Sequence, residues 1–97
     1  MSDSLFAIIR LTATDGRADE LALLLQQIVE SSQREKGCLG YDLLMNEHDG
    51  SEFVFLEEWE SKEAFDRHGK SSHIESVARK WAGLVSEQSV TQLKRIA

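Results

Sequence analysis

The chain has 97 residues, a length that suits one domain, and its net charge of −6 argues against partners rich in phosphate such as nucleic acid. A single cysteine, Cys38, excludes an internal disulfide and fits a reducing, cytoplasmic setting. No apolar run approaches the roughly 20 residues of a membrane span, and the N-terminal MSDSLFAIIRL lacks the basic region and cleavage site of a signal peptide.

Leu5–Thr14 is β-branched and apolar and ends at Asp15-Gly16, which predicts a first strand. Within it, Leu5, Ala7, Ile9 and Leu11 share one face, and Phe6, Ile8, Arg10 and Thr12 share the other. Arg17–Glu35 follows the helical period through Ala18, Leu21, Leu25, Ile28, Val29 and Ser32. Asp15 is the expected N-cap, and Gly37 is the expected left-handed stop.

Cys38–Glu47 predicts a second strand and Glu52–Trp59 a third. His48-Asp49-Gly50-Ser51 forms the turn between them, with Asp-Gly at its centre. Ser61 caps a short helix over Lys62–His68 that ends at Gly69. Ser72 caps a further helix with Ile74, Val77, Ala78, Trp81 and Leu84 or Val85 in its stripe, and Gln88–Ile96 alternates as a last strand. Proline is absent, so no proline-rich linker divides residues 1–97, and they read as one domain. The order β-α-β-β-α-α-β predicts an α+β, ferredoxin-like split βαβ fold: a four-stranded antiparallel sheet with helices on one face.

Strand three points Phe53, Phe55, Glu57 and Trp59 one way and Val54, Leu56 and Glu58 the other. Both faces are substantially apolar, yet the helices of one chain cover only one. Each large side chain left wet costs about 1.5–3 kcal/mol relative to burial. A homodimer packing sheet on sheet is therefore expected.

The stretch Glu57–His73, EEWESKEAFDRHGKSSH, concentrates a tryptophan, two histidines and several carboxylates. Ala64 and His68 share a helical face, with Phe65 beside them, and Glu57 and Trp59 share a strand face. With Tyr41 or Leu43 on strand two, they predict a mostly apolar cavity between sheet and helices. Glu57, His68 and His73 form a two-histidine, one-carboxylate set on paper. The histidines are five apart across a glycine, however, not the i, i+4 of a helical metal pair, and no metal is expected. The acid–base reading pairs a histidine that titrates near neutrality with a glutamate whose pKa an apolar pocket raises. Such a pair removes a proton from a phenol or from carbon beside a carbonyl. The bland alternative is that His68 hydrogen-bonds Glu57 and merely closes the barrel.

Taken together, Gly37-Cys38-Leu39-x-Tyr41, Phe53-Val54-Phe55-Leu56-Glu57-Glu58-Trp59 and Ala64-Phe65-x-x-His68-x-x-x-x-His73 resemble the antibiotic biosynthesis monooxygenase domain of the dimeric α+β barrel superfamily. The resemblance covers essentially the whole chain. It implies a homodimer through the sheet face, a pocket in each protomer, and O₂-dependent oxidation of a quinol or other phenolic small molecule without metal or flavin. It implies His68 and His73 as base candidates, Glu57 as the group that orients the base, and Trp59, Phe65 and Tyr41 against an aromatic substrate. The family also contains an isomerase of a phosphorylated signalling sugar, which the same histidines would serve. A non-catalytic binding dimer is the third reading. Haem-degrading relatives carry an Asn on strand one, a Trp at the position of His68 and a His at that of Ala78. This chain has none of these. Ser72 stands where proline is common before the second histidine.

Overall fold

The computed structural model describes residues 4–97. Met1, Ser2 and Asp3, which belong to the expected 1–97 domain and to the stretch read as no signal peptide, lie outside the described residues. The elements run β1 (Leu5–Ala13), α1 (Ala18–Gln26), α2 (Val29–Gln33), β2 (Cys38–Asn46), β3 (Asp49–Trp59), α3 (Lys62–Gly69), α4 (Ser72–Trp81) and β4 (Val85–Lys94). All strand pairs are antiparallel and the sheet order is β2-β3-β1-β4, the expected ferredoxin-like arrangement. No helix among the described residues is long and apolar enough to cross a membrane.

The helices lie on one face of this sheet. Leu11 of β1, Phe53, Phe55 and Trp59 of β3 and Tyr41 of β2 form one buried cluster with Leu21, Leu25 and Ile28 there, and Ala7 of β1 is buried as well. The register explains why they converge: Leu5 pairs with Trp59, Ala7 with Glu57, Ile9 with Phe55 and Leu11 with Phe53. The opposite face carries Phe6, Ile8 and Val54, half-buried, and Leu44, Leu56 and Leu93, exposed.

Several local expectations are corrected. The single helix over Arg17–Glu35 is two helices, because the chain tightens at Gln27 and Ile28, whose amides bond three residues back to Leu24 and Leu25. Asp15 does not cap the first helix: Arg17 holds the N-cap position, with no side-chain cap. The β2–β3 turn is Glu47-His48, with Asn46 paired to Asp49, so Asp-Gly lies inside β3 and not at the turn centre. The Asn46 side chain accepts from the His48 amide instead. Ser71, not Ser72, holds the N-cap position of α4, and β4 begins at Val85, three residues early.

One expected cap holds, and Gly37 is left-handed without ending the helix, since α2 stops at Gln33 with Arg34 as its C-cap. Ser61 caps α3 by accepting from the Ala64 amide at 3.1 Å. Gly37 has φ +88°, and a Cβ there would come within 2.7 Å of the Ala64 Cβ. Glycine at 37 thus lets the α2–β2 connection press against the start of α3.

Candidate functional site

Period-two alternation on β3 puts Glu57 and Trp59 on the helix-facing side, where both are buried. The Trp59 Nε1–H donates to Glu57 Oε1 at 2.8 Å. On β2 a register shift between Cys38 and Gly40 pushes Leu39 outward and sets Tyr41 opposite Glu57. The Tyr41 ring lies 5.2 Å from Phe55 and 6.3 Å from Trp59, centre to centre.

Ala64 and His68 occupy the inward stripe of α3, as their i, i+4 spacing predicts. The His68 ring tilts over Trp59 at 4.7 Å and meets the Tyr41 ring edge-on at 5.2 Å. His73 sits in the first turn of α4, its ring 6.2 Å from that of His68.

The carboxylate that joins the two histidines is Glu35. Its Oε2 lies 2.7 Å from His68 Nδ1 and 3.0 Å from His73 Nε2. Glu35 belongs to the turn after α2: its amide bonds the Ser32 carbonyl, and its own carbonyl accepts from Cys38. Ser32, fully buried, places Oγ 3.3 Å from His73 Nε2. A carboxylate only accepts, so His68 donates from Nδ1 to Glu35. That commits the His68 proton to Nδ1 and leaves Nε2 with its lone pair.

Burial governs the electrostatics. It pushes the Glu57 carboxyl up to about 7, with the Trp59 hydrogen bond opposing and the charge of Glu35 adding. It lowers the pKa of His68 despite the hydrogen bond from that ring to Glu35, so the imidazole stays neutral near pH 7. Burial also raises the Tyr41 phenol, helped by the charge of Glu57 and opposed by a hydrogen bond with Ser32.

A cavity of about 520 Å³ opens beside this cluster, lined among others by Tyr41, Phe55, Glu57, Phe65, His68 and Trp81. The structure thus gathers Tyr41, Glu57, Phe65 and His68 around one space. Trp59 is wholly enclosed beneath His68, and His73 stands behind the wall. Two expectations change. Glu57 hydrogen-bonds Trp59, and the partner of His68 is Glu35. The two-histidine, one-carboxylate set contains Glu35 in place of Glu57. Glu35 carries no local signal of this role: it stands in a charged run, Arg34-Glu35-Lys36. Ser32 did carry a signal: it is a hydroxyl in an otherwise apolar stripe.

A family model described as antibiotic biosynthesis monooxygenase matches residues 4–80. The crystal structure of PA3566 from Pseudomonas aeruginosa is 35% identical with a TM-score of 0.95, covering 100% of this chain and 98% of that one. A crystal structure of an antibiotic biosynthesis monooxygenase is 26% identical with a TM-score of 0.90, covering 96% of this chain and 99% of its own. An uncharacterized protein of Synechocystis, sll1783, is 26% identical over 81 residues, which is 84% of this chain. The match takes in 55% of that protein, so the chain spans about half the length of the curated relative it matches.

Proposed function

The chain belongs to the antibiotic biosynthesis monooxygenase family, and from that premise we propose that it is a cytoplasmic monooxygenase of a quinol or other phenolic small molecule. O₂ is the co-substrate and no resident cofactor takes part. The observation that carries this reading is the state of His68. It is a neutral, buried imidazole on the cavity wall, with Nδ1 committed to Glu35 and Nε2 free to take a proton.

The chemistry needs little more. His68 Nε2 removes the phenolic proton, and the phenolate passes one electron to O₂. The resulting superoxide and phenoxyl radical join at a ring C–H carbon, and the peroxide takes the proton held on His68 to give a hydroperoxide. His68 Nε2 then removes the remaining hydrogen of that carbon as a proton, and the C–H electron pair forms the new carbonyl as the O–O bond breaks. The expelled hydroxide takes that proton from His68 and departs as water, so one oxygen atom stays on the product. Glu35 orients the base and balances the transient imidazolium. Phe55, Phe65 and Trp81 offer the apolar wall that holds an aromatic ring and excludes water.

The second sheet face supports a homodimer. Leu44, Leu56 and Leu93 are exposed there, beside Phe6, Ile8 and Val54, and a two-fold copy buries them.

Oxygen uptake with menadiol, measured against autoxidation in chelator-treated protein, tests the activity. Acceleration that disappears in His68→Ala is the expected result. A rate equal to autoxidation overturns it. Tight binding of the aromatic without turnover then marks a binding dimer, and solvent-proton exchange beside a carbonyl without oxygen uptake marks an isomerase. Activity lost to the chelator overturns the cofactor-free part alone.

A further inference from the structure

We propose that Glu35, His68 and His73 form a binding site for one divalent transition-metal ion. Three potential ligand atoms, Glu35 Oε2, His68 Nδ1 and His73 Nε2, lie within 4.8 Å of one another. The carboxylate oxygen is 2.7 Å from one nitrogen and 3.0 Å from the other. Ligands held about 2.0–2.2 Å from a tetrahedral zinc stand roughly 3.3 Å apart. Two edges of that figure are therefore nearly formed, and a small withdrawal of the Glu35 carboxylate admits the ion.

The donor set defines the metal class. Two imidazoles and one carboxylate suit zinc, cobalt, nickel, copper or ferrous iron, and poorly suit calcium or magnesium, which favour all-oxygen shells. The ligands come from three elements that the fold fixes independently: the turn after α2, the last turn of α3 and the first turn of α4. His68 is clamped over Trp59, while the 3.3 Å contact of Ser32 Oγ with His73 Nε2 is one the ion replaces. The His73 side chain keeps 28% of its surface in solvent against 8% for His68, so an ion enters from that side and keeps an open position for water.

The ion and the proposed base exclude each other. A metal on His68 Nδ1 moves the ring proton to Nε2 and removes the lone pair that the oxygenase reading uses. Metal loading is then inhibitory. This consequence rests on that reading, but the site itself does not.

Cobalt(II) titrated into the full-length, chelator-treated protein tests the site by visible absorption and equilibrium dialysis. One equivalent per chain is expected, with the intense d–d bands of a four- or five-coordinate ion. Glu35→Gln and His73→Ala should weaken binding at least 10-fold, while His48→Ala, in the exposed β2–β3 turn, should leave it unchanged. Failure to bind cobalt below millimolar concentration, weak octahedral bands only, or equal binding by Glu35→Gln and the parent overturns the proposal. Glu35→Gln keeps the side-chain volume, so it decides the matter even where His73→Ala does not fold. The readout needs no turnover, so failure of the oxygenase assay leaves it intact.

Discussion

Glu35 and His68 stand 33 residues apart in sequence and 2.7 Å apart in the fold. The contact fixes which imidazole nitrogen holds a proton, and so turns a half-polar pocket into one with a defined base. His68→Ala should lower kcat for quinol oxidation by roughly 10²–10⁴, the usual worth of a positioned base. Glu35→Gln should lower it less: its amide oxygen still accepts from Nδ1–H but no longer balances the imidazolium, and nitrogen NMR reads which ring nitrogen is protonated. Equal turnover in both variants and the parent would remove His68 from the mechanism.

Glu57 predicts a stability that depends on pH. Its carboxyl is pushed from 4.5 up to about 7 in the fold, so the native state holds this proton more tightly than the unfolded chain does. The stabilisation is complete below pH 4.5 and declines as pH rises through about 7, by at most about 3 kcal/mol. Glu57→Gln, which stays neutral and still accepts from Trp59, should raise the melting temperature at pH 8 and change it little at pH 4.5. Melting curves at the two pH values check this.

Gly37→Ala should destabilise the protein by about 1–3 kcal/mol, since the backbone is left-handed there. The added methyl also meets Ala64 at 2.7 Å. Denaturant titration measures the loss. The variant should show lower turnover as well, because the turn that Gly37 closes also holds Glu35.

Leu56→Glu places a charge in the centre of the exposed apolar sheet face. Sedimentation velocity at micromolar concentration should find the parent as a dimer and this variant as a monomer. A monomeric parent would leave the apolar sheet face unexplained.

The architecture was legible because strand alternation and glycine stops are local signals. Phe53, Phe55, Glu57 and Trp59 had to share a side, and Gly37 had to take a left-handed turn into the second strand. The division at Gln27 and Ile28 was not legible, since LLLQQIV contains no breaker and reads as continuous helix. The Asp49-Gly50 pair misplaced the turn because Asn46 supplies the local acceptor three residues earlier. Around the site, the residues on one strand or one helix turn were found and the bond between distant segments was not. Glu57 was the obvious carboxylate for His68 by proximity in sequence, whereas Glu35 reaches it only through the packing of three elements.

The tightened backbone at Gln27 and Ile28 divides labour between two halves of one connection. Leu21 and Leu25 anchor α1 with no exposed surface, while α2 buries only Ser32 and hands the chain on to Glu35. Within residues 29–36 the exposed Glu30, Arg34 and Lys36 flank the buried Ser32 and the bonded Glu35. Libraries seeking altered substrate choice are best concentrated on those three exposed positions, where chemical variety leaves the anchor and the Glu35–His68 contact in place.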